Sequence, residues 1–214
     1  MTGAAVGLLL LAAAAPPVTP NRLPPVDVCG GDPAFDRYRQ NLEDAVTRKD
    51  VAALRRVTAA NVMVNFGGGD SWDDFARQWA LGRNPSQSSL WNEMRKVIAL
   101  GCAPAPGGKG RVFPSLFVAL GDDIDPWELV VARQGAPLYA RPNVRAETIA
   151  RLDWHSARLL DTPGPADWGE VELLDGNKGR GWLRRSDWLS PLGYRLISER
   201  RGGRWVMTAF IAGD

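Results

Sequence analysis

Leu129 to Leu192 reads LVVARQGAPLYARPNVRAETIARLDWHSARLLDTPGPADWGEVELLDGNKGRGWLRRSDWLSPL, and its grammar decides the fold. Short apolar runs recur: Leu129–Ala132, Leu138–Ala140, Thr148–Leu152, Ala157–Leu160, Trp168–Leu174 and Gly181–Leu183. Between them stand Gly135-Ala136-Pro137, Arg141-Pro142-Asn143, Asp161-Thr162-Pro163-Gly164 and Asp175-Gly176-Asn177. Regularly spaced short strands with turn residues between them predict a sandwich or a barrel. The stretch is too short to build the two sheets of a large sandwich, so a small barrel is expected.

The residues that precede this stretch follow a different, helix-rich pattern. Asp32-Pro33 is an N-cap followed by proline at the first helical position. Phe35, Tyr38, Leu42, Ala45 and Val46 then recur at helical spacing. Asp50 caps a second helix carrying Val51, Leu54 and Val57, and Asn61–Phe66 predicts a strand stopped by Gly67-Gly68-Gly69. Ser71 and Asp74 stand in a capping-box relation ahead of Trp72, Phe75, Ala76 and Trp79. A fourth helix is predicted over 89–100, with Leu90, Met94, Val97 and Ile98 on one side and Gly101 after its end. A Pro/Gly-rich loop, 103–110, leads to an expected strand over 111–120. The fold class is therefore α+β, a helix-rich first half with a small sheet, joined to an all-β small barrel.

In the tail, 193–214, Gly202-Gly203 predicts a hairpin. Its second strand puts Trp205, Met207, Ala209 and Ile211 on one face and Val206 and Phe210 on the other. A strand apolar on both faces is normally buried on both. Two arrangements stay open: the hairpin completes the sheet of residues 32–128, making 129–192 an insertion, or the units follow in tandem.

Charge and cysteine bound the setting. Lys and Arg number 26 against 24 for Asp and Glu, a net charge of +2. Residues 129–193 carry nine basic and eight acidic side chains. Such balance exerts no general pull on nucleic acid or anionic lipid. Val6–Ala15 (VGLLLLAAAA) would rise roughly 15 Å as a helix, about half a bilayer's hydrocarbon thickness. It suits the core of a signal peptide, 1–14, with Ala12 and Ala14 as small residues for cleavage, although no Lys or Arg precedes it. A cleaved chain would hold no membrane span. Residues 15–31, rich in proline, are expected as an extended linker, with order beginning at Asp32. In an exported chain Cys29 and Cys102 have only each other as partner, so a disulfide is expected over two free thiols.

Pro137-Leu138-Tyr139-Ala140-Arg141-Pro142-Asn143, Ile149-Ala150-Arg151-Leu152, Asp167-Trp168-Gly169-Glu170-Val171-Glu172-Leu173 and Gly179-Arg180-Gly181-Trp182-Leu183 carry a resemblance over 129–192. The stretch resembles a bacterial SH3-like domain, with its "leu-x-x-x-Pro-asn" opening, tryptophan strand and glycine-led aromatic strand. It departs in the proline-rich connection 159–165. The resemblance implies a module that binds cell-wall peptides or neighbouring envelope proteins, or that merely braces another domain. The order of helix, helix, strand, glycine turn and helix in the first half is similar, by arrangement alone, to nuclear transport factor 2-like folds. Those house enzymes and plain pockets alike.

Tyr139, Trp168, Trp182 and Trp188 are the candidate ligand-binding residues, because Trp and Tyr offer large rigid contact area with a polar handle. The competing reading places them in the core of a small barrel. Trp168 and Trp182, lying in strands, are read as core, Trp188 as exposed, and Tyr139 stays open. His155 reads as a surface residue, and Arg184-Arg185 as a solvated strand end rather than an anion receiver. Gly67–Asp70 and Gly107–Gly110 lack the residues of a phosphate loop. Asp122, Asp123, Asp125 and Glu128 match no calcium-loop spacing. No catalytic residue, metal ligand or cofactor is assigned. The expectation is an exported, periplasmic binding protein. Its alternatives are an envelope enzyme with its pocket in 32–128 and the barrel as targeting arm, or a purely structural barrel.

Overall fold

The computed structural model describes residues 20–121, 123–176 and 179–213. The predicted signal peptide, Asp122 and Asn177 lie outside the described residues. Among the described residues, four α-helices and two sheets give an α+β fold.

Helix α1, Pro33–Arg48, starts where Asp32 accepts hydrogen bonds from the Ala34 and Phe35 N–H groups and ends at Lys49 in the left-handed region, φ 56°. It buries Phe35, Tyr38, Leu42, Ala45 and Val46, the stripe read from the sequence. Helix α2, Val51–Arg56, is capped by Asp50, whose side chain accepts from Ala53 N–H. Helix α3, Trp72–Gln78, is capped by Ser71, whose Oγ accepts the Asp74 N–H at 3.1 Å and donates to the Asp74 carboxylate. Helix α4, Leu90–Ile98, buries Leu90, Trp91, Met94 and Val97.

The helices pack with a five-stranded sheet: β1 (Thr58–Met63), β2 (Ala103–Pro104), β3 (Gly110–Phe113), β11 (Arg195–Arg201) and β12 (Arg204–Ile211). Its order is β1-β12-β11-β3-β2, with β1 and β12 parallel. The C-terminal hairpin thus lies inside the sheet of the first half. β12 is internal, and Trp205, Val206, Met207, Ala209, Phe210 and Ile211 are all buried, as its two apolar faces require. Two groups of rings join helix to sheet: the Phe35 ring meets Trp205 edge-on at 5.0 Å, and Trp79, at the end of α3, meets Phe210 at 5.5 Å, on which Tyr194 stacks at 5.0 Å.

Two strand expectations shift. The first strand spans 58–63 rather than 61–66, because Thr58 closes α2 through its Oγ1 on the Leu54 carbonyl, 2.7 Å, and pairing with β12 begins at once. The strand expected over 111–120 stops at Phe113. Pro114 has no N–H to offer the ladder, and Ser115–Val118 turn into a 3-10 helix.

The second sheet is built entirely from residues 129–189: β4 (Leu129–Ala132), β5 (Ala136–Tyr139), β6 (Thr148–Leu152), β7 (Ser156–Leu159), β8 (Trp168–Leu173), β9 (Arg180–Arg184) and β10 (Trp188–Leu189). Its order is β10-β4-β7-β8-β9-β5-β6. The sheet is not closed: β10 and β6 are its edges and do not pair. The expected closed barrel is replaced by a sheet whose inner face gathers Val130, Ala132, Leu138, Leu152, Ala157, Val171, Leu183 and Trp188 into one core. β10, two residues long, is too short to extend the ladder further.

Residues 15–19 of the expected linker lie outside the described residues; residues 20–31 are not a free tether, and order begins before Asp32. Ser156 Oγ donates to the Pro20 carbonyl at 2.6 Å, Ser156 N–H to the Asn21 carbonyl at 2.9 Å, and Leu23 N–H to the Trp154 carbonyl at 2.8 Å. Leu23 is buried. Further on, Val26 N–H donates to Ser115 Oγ at 3.0 Å and Val28 N–H to the Cys102 carbonyl at 2.9 Å. Asp27 pairs with Arg39 of α1 at 2.6 Å. Gly101, at φ +78°, allows this approach: a Cβ there would lie 2.0 Å from the Val26 carbonyl oxygen. Residues 20–28 therefore strap the second sheet to the first unit. Isolated backbone hydrogen bonds of this kind leave no periodic mark in a sequence.

Cys29 and Cys102 form a disulfide with a Cα–Cα distance of 5.6 Å, and both are buried. It closes a loop of 73 residues' separation, for which chain entropy gives a stabilisation of about 4 kcal/mol. Exposed ion pairs contribute at most about 1 kcal/mol each, so the disulfide is the larger fastening of the strap. Replacing both cysteines by serine should lower the free energy of unfolding by about 4 kcal/mol. Denaturant midpoints of the two proteins, measured without reductant, check this.

Candidate functional site

Strands β8 and β9 set the geometry of the aromatic residues. In β8, Gly169, Val171 and Leu173 face the core, so Trp168, Glu170 and Glu172 face outward. In β9, Gly181 and Leu183 are buried, leaving Arg180, Trp182 and Arg184 on the outer face. Cross-strand register places Trp168 opposite Arg184, Glu170 opposite Trp182, and Glu172 opposite Arg180. Tyr139 of β5 pairs with Trp182. Its ring meets Trp168 edge-on, centroids 5.3 Å apart. Tyr139, Trp168 and Trp182 are half-buried and form one outward aromatic patch on the sheet.

This reverses the expectations for the tryptophans. Trp168 and Trp182, read as core, lie on the outer face because the residues alternating with them are glycine and aliphatic. Trp188, read as exposed, is buried in the core. Its ring occupies the space beside Gly169, where a Cβ would come within 2.7 Å of the indole. The structure thus brings together three of the four predicted residues and separates the fourth. Truncating a buried tryptophan costs about 3–5 kcal/mol, much of a domain's net stability, so Trp188 cannot serve as a probe of ligand binding.

The connection 159–165 stands out in the sequence as proline-rich, but nothing there marks its contact with the patch. The connection Leu160–Asp167 brings Gly164 against Trp182: a Cβ at Gly164 would sit 2.6 Å from the ring. A larger side chain there would force the indole or the loop to shift. Glu172 is held by Arg180 at 3.4 Å.

The remaining candidate groups do not converge on the patch. His155 is half-buried, its Nδ1 accepting the Asp153 N–H at 2.8 Å, and it forms a lone bridge with Arg22 of the strap. Burial and the nearby Arg22 charge push the imidazole below its ordinary pKa, against the pull of Asp175 and Asp153. Neighbouring Trp154 is held at φ +55°, and its carbonyl anchors Leu23. Arg185 is not a free strand end; its guanidinium lies 5.2 Å over the Trp188 ring. Among the described residues, no three His, Cys, Asp or Glu side chains are grouped to hold a metal ion, and no helix is long and apolar enough to cross a membrane. Comparison with protein-family models, curated proteins and solved structures finds no match to this chain.

Two outcomes follow from the packing. Gly169→Ala should destabilise the fold by about 1–3 kcal/mol, because the new methyl overpacks against Trp188; the thermal midpoint reads this. For His155 the sign comes from its lowered pKa. The folded state holds the neutral ring more readily than the unfolded chain, so stability is complete above about pH 6.5 and is lost as pH falls below that value. The difference in thermal midpoint between the native chain and His155→Gln should therefore change between pH 7.5 and pH 5.5, the native chain losing more on acidification.

Proposed function

We propose that the chain is an exported, non-catalytic binding protein whose SH3-like unit takes up a cell-envelope component, a wall peptide or an envelope protein. The observation that carries this reading is the aromatic patch of Tyr139, Trp168 and Trp182 on the outward face of the second sheet. Scattered exposed apolar residues need no explanation, but three rings grouped among Glu170, Glu172, Arg180 and Arg184 do. Trp and Tyr are the side chains that most often dominate binding energy, since they bring area at low entropic cost.

Several features support export and the SH3-like reading. A buried disulfide is compatible with an oxidising compartment. The seven strands within 129–189 fold about a single small core, as expected of a barrel-like module. The chemistry of the patch fits an extended peptide. Rings of Tyr139 and Trp182 would lie along its backbone, while Glu170 and Arg184 beside them offer one charge of each sign to its flanks.

The test is sedimentation of the chain with isolated cell wall, before and after the wall is stripped of protein. The native chain should be retained, and Tyr139→Ala with Trp168→Ala should cut retention more than tenfold, the effect of losing two hot-spot aromatics. Retention on stripped wall identifies a peptide ligand; retention only on unstripped wall identifies a protein. Equal sedimentation of native and variant chains, or none from either, would refute the proposal. Thermal midpoints of both proteins control for folding.

A further inference from the structure

A cleft of about 850 Å³ lies between α4 and the second sheet, a volume within the range of small-molecule sites. One wall comes from α4 and the 3-10 turn after Pro114; the other comes from β4, the turn into β10 and the connection toward Tyr194. It shares no residue with the aromatic patch of Tyr139, Trp168 and Trp182.

The lining combines two chemistries. Leu116, Phe117, Trp127 and Tyr194 provide apolar surface, and Trp127 is 66% exposed. Arg133 and Arg185 line the same cleft. Arg133 Nε donates to the Ser186 carbonyl at 3.2 Å, and Arg185 is held over Trp188 by its cation–π contact. Among the described residues, neither guanidinium has a carboxylate within ion-pairing distance. Glu93, on the opposite wall, is already taken by Lys96 at 2.8 Å. Among the lining residues Arg133, Arg185 and Lys96 face Glu93 alone; Asp187, just outside the lining, attracts Arg133, so the cleft keeps a smaller positive excess, which low-dielectric walls focus. Guanidinium forks match carboxylate and phosphate oxygens two at a time.

We propose that this cleft binds an anionic amphiphile, with its carboxylate or phosphate head on Arg133 and Arg185 and its apolar body against Leu116, Phe117, Trp127 and Tyr194. The guanidiniums supply orientation and the aromatic wall supplies most of the buried area. An apolar ligand without a head would leave two arginines partly desolvated and unpaired, and a cationic head would meet repulsion.

Calorimetric titration of the exported chain with dodecanoate, dodecyl phosphate, dodecyltrimethylammonium and inorganic phosphate, each below its micelle concentration, tests this. Both anionic amphiphiles should bind in the micromolar range and the cationic one at least tenfold more weakly. Inorganic phosphate should bind far more weakly than dodecyl phosphate. Arg133→Gln with Arg185→Gln should weaken both anionic amphiphiles at least tenfold. The milder Arg133→Lys with Arg185→Lys, which keeps the charge and loses the fork, should also weaken them at an unchanged thermal midpoint. Phe117→Ala should weaken dodecanoate more than octanoate, and Trp168→Ala should change neither. The proposal is overturned by equal binding of the two charge types, by arginine variants that bind like the native chain, or by no anionic binding up to about 1 mM. Loss of binding in Trp168→Ala would also overturn it, placing the amphiphile on the outer aromatic face instead; retention on cell wall is read separately and stands or falls on its own.

Discussion

Gly169 and Gly181 face the core of the second sheet at points where no larger side chain fits. A Cβ on Gly169 would meet the rings and methyls of Trp188 and Leu159, and one on Gly181 would come within 2.7 Å of Leu138. Because side chains alternate along a strand, these two glycines fix the parity of β8 and β9. Their bulky neighbours, Trp168 and Trp182, must then face outward. A slip of one residue would drive both indoles and Glu170 into a core already filled by Trp188, and would strand Val171 and Leu183 in water. The outward aromatic patch is thus a consequence of inward packing, and the core could not tolerate the reverse.

The strap adds a second constraint. Residues 20–23 hydrogen-bond to the turn between β6 and β7, while residues 26–29 are fastened to the end of α4 by Ser115, Cys102 and the disulfide. Both sheets are therefore tied to one segment of chain, and the cleft between α4 and the second sheet has walls held from outside as well as by the connection 190–194. Trp154 accepts an unfavourable backbone conformation at the point where the strap docks. A site formed between two units needs such a brace if its cations are to stay in place without a ligand.

Much of the fold is legible in the residues. The caps Asp32, Asp50 and Ser71, the stripe from Phe35 to Val46 and the two-faced apolar strand ending in Ile211 are local patterns, and local patterns survive folding. The short strands of 129–189 are legible for the same reason. Closure of the sheet is not, because it depends on whether two distant edges meet. The candidate site was half legible. Four aromatics stand out, but their burial follows the alternation along each strand and not the tryptophan alone. The alternation of Glu170 and Glu172 against Val171 and Leu173 puts Trp168 on the polar side of its strand, and Arg180 and Arg184 do the same for Trp182. Trp188 carries no such alternation, since its strand is two residues long. The strap and the cleft rest on contacts between residues far apart in sequence, where no motif can form.

The account rests on which indoles meet water. Fluorine NMR of 5-fluorotryptophan-labelled protein, with each resonance assigned by a single Trp→Phe variant, reads that directly through its response to a soluble paramagnetic quencher. Strong broadening of the Trp168 and Trp182 resonances is expected, with Trp188 unaffected. A broadened Trp188 beside protected Trp168 and Trp182 would contradict the account.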